Sequence, residues 1–122
     1  MSQMAGKLIL NINDDPDIRK MLQMVLEHEG YRVIDAENGE TGLALAQGEQ
    51  PDLILLDRWL PDWKVPDFLF KLKDIPLTKD IPIVLTTNLH TDASLADKVL
   101  VTPWDVRDLV NAVKDLLEDD VE

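Results

Sequence analysis

The chain has no cysteine, which removes any disulfide scaffold. Long apolar runs are missing too. None approaches the roughly 20 residues that a membrane-spanning helix requires, and Met1 to Lys7 lacks the charged opening and apolar stretch of a secretory leader. Basic residues are scarce: 12 Lys and Arg against 24 Asp and Glu leave a net charge of −12. Such a surface repels a phosphate backbone, so direct nucleic-acid contact is not expected. A cytoplasmic domain away from any membrane is expected. At 122 residues with 45% hydrophobic content, the chain suits one modest core. We read it as a single domain, 1–122, with a core of about 8–117 and a solvated acidic tail, Glu118 to Glu122.

What is present is an alternation of strand-length apolar runs with segments of helical period, the pattern of βα units winding around a parallel sheet. Leu8 to Ile12 reads as the first strand. Asp15 caps a helix with Pro16 in its first turn, whose Ile18, Met21, Leu22, Val25 and Leu26 share a face until Gly30 ends it. Tyr31 to Ala36 is a second strand, and Glu40 to Gln47 a second helix with Leu43 and Ala44 or Leu45 inward, closed by Gly48 and Pro51. Leu53-Ile54-Leu55-Leu56 is continuously apolar, as a strand covered on both faces must be, and runs into Asp57. Phe68, Leu69 and Leu72 mark a third helix, Ile81 to Leu85 a fourth strand and Val99 to Val101 a fifth. Pro103 and Asp105 open a last helix with Val106, Leu109, Val110, Val113 and Leu117 on one face. Asn88 to Asp97 has room for little more than a couple of helical turns. The fold class is α/β, a doubly wound sheet of five parallel strands.

Ligands of such sheets sit beyond the carboxyl ends of the strands. Those ends carry Asn13, Asp14 and Asp15, then Asp57, then Thr86, Thr87 and Asn88, then Thr102 and Pro103. With the first and third strands adjacent, Asp14 and Asp57 face each other, and two such carboxylates repel unless a proton or cation lies between them. Hard oxygen donors favour Mg²⁺ or a relative such as Mn²⁺. A cation there would make Asp57 a workable nucleophile toward phosphorus, with Thr87 donating to a phosphoryl oxygen. Taken alone, Asn-Asp-Asp-Pro is an ordinary helix cap and Thr87 a strand-end hydroxyl; their joint placement is what suggests chemistry.

The ordered set Ile9 to Arg19, Gly30-Tyr31-Arg32-Val33, Ala36-Glu37-Asn38-Gly39, Pro51 to Asp57 with Leu60-Pro61, and Ile81 to Val84 resembles the receiver domains of two-component response regulators, from Leu8 to Leu117. The resemblance implies a flavodoxin-like strand order 2-1-3-4-5. It implies Asp57 as phosphoacceptor, Asp14 as a direct metal ligand, the Trp59 carbonyl as a third ligand, Asn13 acting at most through water, and Thr87 as switch hydroxyl. It further implies a histidine kinase or phosphotransfer protein as donor, a downstream protein as target, and a monomer or weak homodimer. Four departures stand out. Asn13 replaces one of two acids, Thr102 precedes Pro103 where the family has lysine, Val99 replaces an aromatic, and the stretch between Thr87 and Pro103 is short, leaving the fourth helix shortened or missing.

Arg58 reads either as a substitute for the lysine or as a solvated surface arginine. Trp104 reads as a partner anchor or as packing within its own domain, and Trp59 and Trp63 as covering the acidic site or packing over the third helix. The expected activity is a stand-alone, non-enzymatic receiver, with a phosphorylation-independent interaction module as the alternative. A phosphatase would need a second acid where Trp59 stands, and a flavin site a Ser/Thr/Gly-rich first loop.

Overall fold

Apolar runs of about five residues, too short for helices, pair as strands, and the longer periodic segments between them wind as helices, in a computed structural model that describes residues 6–88 and 95–118. The order is β1 (Leu8–Ile12), α1 (Pro16–His28), β2 (Arg32–Ala36), α2 (Gly39–Glu49), β3 (Leu53–Asp57), α3 (Val65–Asp74), β4 (Ile83–Thr87), β5 (Lys98–Val101) and α4 (Val106–Leu117). The sheet runs β2-β1-β3-β4-β5 with every neighbouring pair parallel. Strand order therefore reverses between β1 and β3, which opens a crevice at their carboxyl ends.

Period-two alternation divides the core. Leu10, Ile12, Ile54, Leu56, Ile83 and Leu85 meet Ala46 of α2 and Phe68, Leu69 and Leu72 of α3. Ile9, Leu53, Leu55 and Val84 meet Leu22 and Leu26 of α1 and Leu109 and Val113 of α4 on the other face. Each large side chain so buried contributes roughly 1.5–3 kcal/mol. The Asp15 carboxylate accepts from the Asp17 and Ile18 amides to start α1, and a reciprocal Asp105–Asp108 capping box starts α4. Among the described residues there are four helices and none stands between β4 and β5. Residues 89–94 of the short Asn88–Asp97 stretch lie outside the described residues.

Several local expectations are corrected. Strand β2 starts at Arg32, because Tyr31 turns inward and its hydroxyl donates to the Glu118 carboxylate at 2.6 Å. Burial, then this carboxylate, push the Tyr31 phenol well above its ordinary range. Glu118 is thus held by the fold rather than by solvent, and residues 119–122 lie outside the described residues. Strand β4 begins two residues late, at Ile83, since Pro82 has no amide to give the ladder. Helix α2 runs through Gly48 to Glu49 and is capped by Gln50, whose φ of 50° closes it, with Gln50 Nε2 of the side chain donating to the carbonyls of Ala46 and Gln47. Leu43 and Leu45 pack partly buried against the core as expected, Ala44 is exposed, and the fully buried positions of the helix are Gly39, Gly42 and Ala46. A Cβ at Gly42 would lie 2.6 Å from Ile12 Cδ1, so the helix approaches β1 too closely for a larger side chain there. Ile18, Met21 and Val106 hold their periodic positions at helix starts or outer flanks, but remain exposed.

The loop after β3 is tied to α2. Asp62 accepts from the Gly39 amide at 2.8 Å and the Glu40 amide at 2.9 Å, beside the Asn38 cap on Thr41. Trp63 lies against Gly39, where any Cβ would strike its ring. Replacing Asp62→Ala leaves two helix-start amides without their carboxylate and is expected to cost about 1–2 kcal/mol. Thermal unfolding followed by circular dichroism should show a drop of roughly 3–8 °C, and Asp62→Asn a smaller one.

Candidate functional site

The carboxyl ends of β1, β3 and β4 meet at the crevice. The ladder carries one step past β1, where the Asn13 amide donates to the Ala36 carbonyl at 3.0 Å, and the chain then turns through Asp14 and Asp15. Asp57, the last residue of β3, pairs in register with Thr86 of β4. The Thr86 hydroxyl donates to Asp57 Oδ1 at 3.3 Å. Together with Asn13, Arg58, Thr87, Asn88 and Thr102, these two residues line a cleft of about 160 Å³. Ile18 and Leu22 of α1 and Trp104 form its apolar wall.

Burial pushes the Asp57 carboxyl above its ordinary value of 3.8, opposed by the Arg58 amide and the Thr86 hydroxyl, which donate to the charged form. The Asp14 carboxylate raises it further, and the Arg58 guanidinium lowers it. The two acids expected to face each other are therefore close enough to feel each other's charge, although Asp14 and Trp59 lie outside the residues lining the cleft.

The structure brings Asp57, Thr87 and Asn13 into one lining and gives each its own surroundings. Asn13 turns its Oδ1 into its own loop, accepting from the Asp15 amide at 2.9 Å, while its carbonyl accepts from Arg19 Nη1 at 2.8 Å. Asp15 caps α1, its Oδ1 accepting from the Asp17 and Ile18 amides. The Thr87 carbonyl accepts from the amide and hydroxyl of Thr102 at 2.8 and 3.3 Å, which joins the ends of β4 and β5. Trp104 packs partly buried against the core between the sheet and the α1–α4 face, so it serves its own domain. Trp63 meets Phe68 edge-on at 5.6 Å and covers α3 rather than the acids. Trp59 is half exposed, and Val99 on β5 is 40% exposed.

Two residues of the site region were not singled out by sequence reasoning. Thr86 is the hydroxyl that contacts Asp57 here; the register that puts it opposite Asp57 was the available signal. Asn11 is fully buried in β1, where its amide donates to the Arg19 carbonyl at 3.1 Å and to Asp35 at 3.2 Å, with its Oδ1 unpartnered. An amide inside Leu8-Ile9-Leu10-Asn11-Ile12 was the clue.

What the structure offers a cation is the pair of carboxylates of Asp14 and Asp57, whose charges act on each other. Their oxygens are hard, and the mutual charge of the two acids is what a cation would relieve. Among the described residues no three acidic or histidine side chains converge, so an ion held there would keep several waters, as Mg²⁺ ordinarily does. The residues present fit such an ion.

A five-stranded parallel sheet in this order, with helices packed on both faces, defines the flavodoxin-like class of α/β domains. Within that class, the chain belongs to the response regulator receiver domain family, whose model matches residues 9–114. It is 37% identical to the phosphate regulon transcriptional regulatory protein PhoB of Pseudomonas aeruginosa, over 93% of this chain and 53% of that protein. To the DNA-binding dual master transcriptional regulator RpaA of Synechocystis it is 40% identical, over 89% of this chain and 48% of that protein. The chain thus spans about half the length of these curated relatives. Among solved structures, the CheY-like receiver domain protein from Methanospirillum hungatei superposes with a TM-score of 0.85 at 29% identity, covering 94% of this chain and 96% of that one. Chemotaxis response regulator CheY4 of Vibrio cholerae gives 0.83 at 26%, covering 94% and 100%.

The raised Asp57 value carries a sign that can be tested. A carboxyl whose folded pKa exceeds its unfolded value contributes no penalty well below the ordinary value of 3.8, where it is neutral in both states, and destabilises the fold increasingly as pH rises from there through the folded value. Asp57→Asn should therefore raise Tm at pH 7 by roughly a few degrees. The gain should shrink toward zero in scans taken about one unit or more below the ordinary value of 3.8, and an equal gain at both pH values would remove the buried charge as its cause.

Proposed function

We propose that this receiver accepts a phosphoryl group on Asp57, assisted by Mg²⁺ or Mn²⁺ held by Asp14, Asp57 and the Trp59 carbonyl. The observation that carries this reading is the Asp57 carboxylate itself, half-dried at the end of the central strand beside a second acid. A bound divalent cation supplies charge compensation between the acids and toward the arriving phosphoryl oxygens. The chain's own residues do the rest. Asp57 presents a carboxylate oxygen to phosphorus, and the Arg58 amide and Thr86 hydroxyl keep it ionised and oriented. Thr87, lining the same cleft, is the hydroxyl offered to the acyl phosphate once formed.

Receiver domains as a family act with histidine kinases and downstream effectors, and in this reading a kinase or phosphotransfer protein is the donor. Output by contact with a protein is favoured over direct contact with nucleic acid by the net charge of −12. A cytoplasmic, non-enzymatic role follows from the same reading, as does action as a stand-alone unit in a monomer or weak dimer, which the mass of the native protein tests. No helix among the described residues is long and apolar enough to cross a membrane.

A second reading, an interaction module that never carries phosphate, draws on two observations. Asn13 directs its amide oxygen into its own loop, and Thr102 brings a hydroxyl rather than an ammonium to the cleft. Intact mass after incubation with Mg²⁺ and acetyl phosphate separates the two. One phosphoryl group gained by the wild type and lost in Asp57→Asn is expected. With Mg²⁺ alone, Tm should rise for the wild type and change little for Asp57→Asn. No mass gain with any phosphodonor, with or without metal, would leave the interaction module standing.

A further inference from the structure

We infer that Arg58 is a catalytic residue of this receiver, its guanidinium binding the phosphoryl oxygens at Asp57 from the β3 side of the cleft. The inference rests on the phosphoacceptor reading of Asp57. Its first support is the inventory of charge around the cleft: of the residues that line it, Arg58 is the sole cation. Three basic side chains outside the lining are engaged elsewhere. Arg19 donates to the Asn13 carbonyl, Lys98 pairs with Asp115 at 3.5 Å and Lys114 with Glu29 at 3.1 Å. Among the described residues Arg58 makes no ion pair within 4.0 Å, so its guanidinium is uncommitted while still lining the cavity.

The second support is the anion problem. A phosphoryl donor approaching a chain of net charge −12, at an acid flanked by another acid, meets repulsion from the protein as a whole. Thr102, across the cleft, offers a hydroxyl bonded to the Thr87 carbonyl and no charge. Arg58 is the one lining side chain that can neutralise the oxygens, and its planar fork suits two of them at once. Arg58 and Asp57 line the same cleft, and the Arg58 charge already acts on that carboxylate.

The chemistry balances without further reagents. An Asp57 oxygen forms a bond to phosphorus while the bond from phosphorus to the donor's leaving oxygen or nitrogen breaks and its electron pair departs with the leaving group. Arg58 exchanges no proton; it pairs with the equatorial oxygens as their charge concentrates in the transition state.

The test measures the rate of phosphoryl gain by intact mass with Mg²⁺ and acetyl phosphate, and beryllofluoride affinity by tryptophan fluorescence, with Trp104 lining the cleft as reporter. Arg58→Ala should slow phosphorylation and weaken beryllofluoride binding at least tenfold, with Arg58→Lys retaining part of each. Adding Thr102→Lys to Arg58→Ala, which returns a cation from the opposite wall, should restore most of both. Because Arg58 is exposed, circular dichroism of Arg58→Ala and Arg58→Gln should match the wild type. Phosphorylation of both within twofold of the wild-type rate, or loss that no cation at 102 rescues, would overturn the role of Arg58 while leaving Asp57 as acceptor. If the wild type neither gains a phosphoryl group nor binds beryllofluoride, the acceptor reading itself fails and Arg58 falls with it.

Discussion

The arrangement of the site turns on one electrostatic conflict. Asp57 sits where burial alone disfavours its charge, and Asp14 adds like-sign repulsion. Nothing in the packing of the sheet requires an acid there, since the preceding Leu53–Leu56 run is wholly apolar and the α1–α4 face is closed by aliphatic side chains. The conflict is tolerated because two donors, the Arg58 amide and the Thr86 hydroxyl, hold the ionised form in place. A carboxylate kept charged at a dry edge is an avid partner for anything that brings positive charge, and this links the fold to a cation and then to a phosphoryl group.

Much of the architecture could be read in the chain before any coordinates. Five short apolar runs separated by helical periods forced a parallel sheet, and the continuously apolar Leu53–Leu56 marked its central strand. What escaped the sequence was decided by contacts between distant residues. Tyr31 has the composition of a strand residue but is drawn out of β2 by Glu118, and nothing local announces that bond. On α2 hydrophobicity located Leu43 and Leu45, which pack against the core, but not the fully buried Gly42 and Ala46, because the closeness of Ile12 to Gly42 is announced by nothing local. At the site, listing strand ends located Asp57 and Thr87 correctly as neighbours of one cleft, but which of two adjacent threonines meets the carboxylate depends on register, a property of the pairing and not of either strand.

The departures from the family pattern form a coherent set. At residue 13 an amide replaces an acid and is engaged in shaping the turn. Toward β5 the cleft presents Thr102, and the β5 surface carries an exposed Val99. With an amide at residue 13 and a hydroxyl at residue 102, Arg58, just past the end of β3, is the basic group of the lining. The electrostatic centre of the site has thus moved toward β3.

That displacement meets the anchoring of the loop which follows β3. Leu60 is buried at 3% exposure, and two residues later Asp62 is bolted to the start of α2. A pull on residue 58 meets the buried Leu60 and then the Asp62 anchor before it reaches α3, with the half-exposed indole of Trp59 between. Where other folds swing a helix to announce an event, here the message would be written in the tilt of a single ring at the surface.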